Sequence, residues 1–124
     1  MLIFILCPMK PATALLLLFE HISGNMLLRW TNFHTEDGEK QWHNRDAEFE
    51  INTSGKEQLP GNWEKGWHCM FTALEALKEE DLLKTIYILN EPRSVIDAIN
   101  RQMAHYPYHV GQIVYLGRLI NNNQ

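Results

Sequence analysis

The stretch NRQMAHYPYHVGQIVYLGRLI, residues 100–120, decides the fold and carries the most informative side chains. Its apolar residues recur at three- and four-residue steps and continue the pattern of Val95, Ile96 and Ile99, the mark of an amphipathic helix with an inner face. Met103, Tyr106, Val110, Ile113, Val114 and residues 116–119 complete that expected face. His105 and His109 are four residues apart, so a helix carries both imidazoles on one side, one turn apart and able to grip a single ion. The spacing by itself leaves a second reading open, two histidines held in the core by hydrogen bonds. Pro107 stands between them, where a helix loses one backbone hydrogen bond and about 3 kcal/mol.

Working outward, a break at Asn90-Glu91-Pro92 marks the expected start of this helix, because the residue before a proline is pushed out of the helical region. Upstream, residues 81–89 (DLLKTIYIL) alternate at Thr85, Tyr87 and Leu89 against Ile86 and Ile88, which suggests a short extended segment. Residues 63–77 form a second helix with Trp63, Trp67, Met70, Leu74 and Leu77 as its stripe and Asn62 as its cap. Another helix spans residues 12–33, with Leu16, Phe19, Ile22, Met26, Trp30 and Phe33 on one side and Gly24 as its weak point. Asp37-Gly38 signals a turn after it. Three long helices imply an all-α bundle in one domain, residues 1–124.

A ligand pair needs a third donor. His21 lies among Leu18, Phe19, Ile22 and Met26, where a polar ring must find a partner, and a metal ion is one. His34 and His43 fall in a charged loop, and His68 follows Trp67 with no preferred side. Three histidine ligands leave coordination positions for water or substrate. Glu20, Asn25, Glu91, Asp97, Gln102 and Gln112 are candidates to orient the rings, and Tyr108 or Gln112 to orient a substrate. Residues 44–50 mix Arg45 with Asp46, Glu48 and Glu50, read as a structural clamp on the surface. Histidine-only sites suit zinc, nickel, copper or iron.

Composition excludes several classes. With 124 residues, 45% apolar and a net charge of -4, the chain is of ordinary globular composition and has no general attraction to nucleic acid. Cys7 and Cys69 stand far apart with no CxxC, which fits a reduced, cytoplasmic setting, and Cys69 reads as a small core residue. Residues 1–19 are apolar, but no basic residue precedes the run. Pro8, Lys10 and Pro11 cut it into pieces shorter than the roughly 20 residues of a membrane span. No phosphate-cradling glycine loop, GxSxG or Cys–His arrangement appears.

The segments HISGNMLLRW (21–30), DGEK (37–40), RDAEFE (45–50), WEKGW (63–67) and the 100–120 stretch, in this order, resemble the uncharacterised branch of the DinB/YfiT-like four-helix-bundle metalloproteins. The likeness covers residues 20–120. It implies an up-down-down-up bundle holding a divalent ion, zinc or nickel, through one histidine of the second helix and an HxxxH pair of the fourth. Carried over, these are His21, His105 and His109, the trio reached from the residues alone. Such proteins have a full helix before the HISGN segment, whereas MLIFILCPMKPAT is broken by prolines and matches no such helix. The expected bundle is therefore incomplete at its N-terminus, with an apolar face for the N-terminal strip or a second chain to cover. The resemblance further implies a homodimer and a metal-dependent transferase acting on a small-molecule thiol, or a hydrolase. The alternative is a non-catalytic, metal-stabilised bundle involved in self-association or stress response.

Overall fold

The computed structural model describes residues 9–38 and 59–122. Three α-helices dominate: α1 (Pro11–Trp30), α2 (Leu59–Glu75) and α3 (Val95–Asn122). Between α2 and α3 come a single 3-10 turn (Glu79–Asp81) and a hairpin of β1 (Thr85–Ile88) and β2 (Glu91–Ser94). The fold class is thus predominantly all-α, as expected, with one small antiparallel ribbon added.

Helix α1 begins with Pro11, whose fixed φ and missing N–H suit a first turn. It packs against both α2 and α3, while those two barely touch each other. That central position explains its burial. Leu17, Leu18, Ile22, Asn25, Met26, Leu28 and Trp30 are all buried, a wider arc than the single stripe expected, and Leu16 and Phe19 are only half-buried. The α1–α2 contact is close at Gly66, where an added Cβ would lie 3.3 Å from the Met26 side chain and from the Ser23 carbonyl oxygen. The ring of Phe19 meets that of Trp63 edge-on at 4.8 Å between centroids. Twenty residues long and apolar, α1 has the length and composition of a membrane span, which the broken N-terminal runs did not suggest, and its buried side packs against the other helices.

Helix α2 starts at Leu59, so Asn62 lies inside the first turn and is not its cap. Pro60 supplies the opening turn, where a missing N–H costs nothing. Of its expected stripe, Met70 is buried, and Trp63, Trp67, Leu74 and Leu77 pack half-buried against the core.

The hairpin corrects the reading of residues 81–94. The extended segment exists, as β1, but its alternation continues into a partner strand. The register pairs Thr85 with Ser94 and Tyr87 with Pro92. Pro92 therefore lies in a strand and does not open a helix; a two-stranded ribbon consists only of edges, where a missing N–H is tolerated. Leu89 and Asn90 turn the chain with φ of 53° and 61°, the positive values that a two-residue hairpin requires. Both of their N–H groups donate to the Asp37 carboxylate, at 2.8 and 2.7 Å. Next to it, the Gly38 N–H donates to the Tyr87 carbonyl at 2.8 Å. The approach is close at Gly38, where a Cβ would meet Ile88 Cγ1 at 3.0 Å and push that side chain aside.

Helix α3 opens at Val95, with Ser94 Oγ accepting the Asp97 N–H at 3.1 Å. Ser94-x-x-Asp97 is the sequence form of a helix N-cap and was available to the eye. The helix runs unbroken through Pro107. Its buried face is Val95, Ala98, Gln102, Tyr106 and His109. This differs from the expected face: Met103, Val110 and Val114 are 68%, 37% and 48% exposed. Ile99, Met103 and Val110 instead line an apolar groove of about 330 Å³ between α2 and α3, opposite Trp67, Met70 and Leu74.

Candidate metal centre

The inner face of α3 carries polar side chains at three consecutive steps, Gln102, His105 and His109, and Gln112 follows. The order Gln-x-x-His-x-x-x-His-x-x-Gln is symmetric about Pro107. Helical geometry explains why: residues three apart are neighbours on the surface, so each glutamine reaches the ring beside it. The Gln102 carboxamide oxygen lies 3.2 Å from His105 Nδ1, and that of Gln112 lies 2.8 Å from His109 Nδ1. An amide oxygen can only accept, so both Nδ1 atoms carry the proton and both Nε2 atoms present a lone pair.

Those lone pairs meet. His105 Nε2 is 2.9 Å from His109 Nε2 and 3.4 Å from His21 Nε2, contributed by α1. One ligating nitrogen from each of the three rings falls within 4.8 Å of the others. Neighbouring rings stand edge to face, at centroid separations of 5.4, 4.9 and 4.6 Å. His109 is fully buried, and His21 and His105 are half-buried. Burial, with His109 and His21 adding to it, pushes His105 down to about 4, and His109 is likewise held below the ordinary histidine range, chiefly by burial. A proton is therefore a poor occupant of the space between the rings at neutral pH. A cation that accepts lone pairs fits this donor set.

The site is anchored from behind. Tyr106 Oη donates to Asn25 Oδ1 at 3.0 Å and accepts from Trp30 Nε1 at 3.1 Å, tying α3 to α1 beside the rings. Burial raises the Tyr106 phenol well above its usual range, so it stays protonated.

The residues proposed from sequence divide clearly. His21, His105 and His109 come together. Gln102 and Gln112 orient rings through their amide oxygens, and the amide NH2 of Gln112 is left for a further contact in the cavity it lines. Asn25 serves Tyr106, Asp97 pairs with Arg93 at 3.2 Å, and Glu91 lies 3.6 Å from Arg93. Glu20 is half-buried, its carboxyl pushed up by desolvation, and is not part of the histidine cluster. Tyr108 is half-exposed, with its ring 5.5 Å from that of His109, and lines a cavity of about 460 Å³ with Tyr115 and Gln112. His34 and His68 are exposed and stand apart from the cluster. Among the described residues no carboxylate, thiolate or fourth histidine joins the three rings. Cys69 sits half-buried against the core with its Sγ 3.5 Å from Thr31 Oγ1. Cys7, His43 and the Arg45–Glu50 clamp lie outside the described residues.

The profile of a family described as "Protein of unknown function (DUF1572)" matches residues 5–124. The chain belongs to that family. No curated protein and no solved structure matches this DUF1572 chain. The histidine trio and its two glutamines all fall within the span of the DUF1572 match.

Proposed function

We propose that this DUF1572 protein binds one divalent metal ion, zinc or nickel, through His21, His105 and His109, and uses it on a small-molecule thiol or in hydrolysis. The single observation behind this is the convergence of three imidazole Nε2 lone pairs, two of them aimed by glutamines that hold the opposite ring nitrogens. The resemblance of the ordered motifs to DinB/YfiT-like proteins favours the same ligand set. A bound ion there would supply Lewis acidity, lowering the pKa of a thiol or water held beside it. The chain's own residues would fix the two α3 rings through Gln102 and Gln112 and leave coordination room, since the described donors are three. Cavities lined by His105 and by Tyr108 with Gln112 leave space for a substrate. A cytoplasmic location fits the two widely spaced cysteines.

The second reading is a non-catalytic bundle in which the ion stabilises the fold of a homodimer, with a role in stress response. The apolar groove between α2 and α3 favours it, because side chains such as Met103 stand 68% exposed along it.

Metal analysis of purified wild type beside His105→Ala tests the binding reading. The expected result is about one divalent ion per wild-type chain and nearly none in the variant, given the contribution of each ligand to such sites. Equal metal in the two samples ends the ligand assignment. Thiol transfer to an electrophile, assayed with several low-molecular-weight thiols, separates the catalytic reading from the structural one.

A further inference from the structure

A polar cleft of about 380 Å³ opens beside His105, a volume in the range of small-molecule sites. Its walls come from α1 (Arg29), the hairpin (Glu91, Arg93) and α3 (Arg101, Gln102, His105). Three of the chain's five arginines line it, no lysine does, and one carboxylate opposes them. That concentration stands out in a chain of net charge -4.

Two of the arginines have structural duties. Arg29 donates from its guanidinium to the Gly38 carbonyl and so holds the loop before the hairpin. Arg93 pairs with Asp97 at 3.2 Å and Glu91 at 3.6 Å, yet its Nε is buried with no partner among the described residues. Arg101 is different. It is exposed, forms no hydrogen bond or ion pair among the described residues, and stands one turn before His105 on the same face of α3. A planar guanidinium fork matches the two oxygens of a carboxylate or phosphate, which an ammonium does not.

We propose that this cleft binds the oxyanion end of a small substrate, a carboxylate or a phosphate, with Arg101 as the principal contact and Arg29 and Arg93 supplying the surrounding positive field. The other end of the molecule then lies at His105. This deepens the metal-site reading above by naming its substrate class, and rests on it for the role of the histidines. Glu91 sets the limit on charge, since its carboxylate repels a second anionic group placed on the hairpin side.

Calorimetric titration of the purified protein with succinate, inorganic phosphate and the neutral analogue succinamide tests the proposal, with metal content measured on each sample. Succinate or phosphate is expected to bind and succinamide not; which anion wins identifies the head group. Arg101→Gln should weaken anion binding about tenfold or more, the worth of a charge-assisted hydrogen bond, with unchanged melting temperature and metal content. Glu91→Gln should tighten it. The proposal falls if neither anion binds, if succinamide binds equally well, or if Arg101→Gln binds like wild type. Anion binding depends on the arginines and metal content on the histidines, so failure of one reading is visible apart from failure of the other.

Discussion

At the scale of single residues, the two glutamines matter as much as the histidines they serve. A free imidazole exchanges tautomers; one whose Nδ1–H is held by an amide oxygen keeps Nε2 bare and pointed. Gln102→Leu and Gln112→Leu retain length and helix propensity but release the rings. Each should lower metal affinity about 10- to 100-fold in competition against a chelator, with the helical circular dichroism unchanged. Unaltered affinity would show that packing alone orients the rings. A pH effect follows from His105, pushed by burial first from 6.5 to about 4. Between these values the unfolded chain binds a proton that the folded chain refuses, so stability is full above 6.5 and declines as pH falls toward 4. Thermal melts of metal-free protein from pH 7 to 4 should show that decline, and His105→Ala should flatten it.

At the scale of elements, the entry to α3 is built from small polar contacts. Asp37 holds the hairpin turn, Val95 N–H donates to Lys84 O at 3.0 Å, and Ser94 caps the helix. These contacts connect the 31–38 loop, the hairpin and the helix that bears two of the three ligands. Ser94→Ala removes the cap and should cost about 1 kcal/mol, read as a lower denaturation midpoint. The same loss in Ser94→Thr would mean the hydroxyl contact contributes nothing. Pro107 carries its cost where the helix can bear it. The residue is exposed, as is Met103, whose carbonyl loses its helical donor, so water can take the donor's place.

At the scale of the whole molecule, α1 lies between α2 and α3, and the space between the outer two helices is an apolar groove. None of the three histidines lines the groove, so the candidate metal centre and the groove are distinct sites. If the groove seats a second copy of the chain, Met103→Glu should shift the mass in sedimentation equilibrium toward the monomer and leave metal content unchanged. A wild type that is monomeric at all concentrations tested would remove self-association from the proposed function.

The number of long helices, the extended character of Thr85–Ile88 and the trio of histidines could be read from the sequence, because each rests on a local period or on a ring placed among apolar neighbours. Tertiary structure decided what periodicity cannot distinguish. An apolar residue at a helical step can face the core or a groove, and only the wide separation of α2 from α3 placed Met103 and Val110 in the groove and gave the buried stripe to Gln102 and His109. Likewise, the proline rule sees that Glu91 is extended but not that a strand pairs with it, since pairing depends on Tyr87 across the turn. The sequence brings His105 and His109 onto one helical face by period alone. Bringing His21 to them depended on the packing of α1 against α3, whereas Gln102, Gln112 and Arg101 reach the rings along α3 itself.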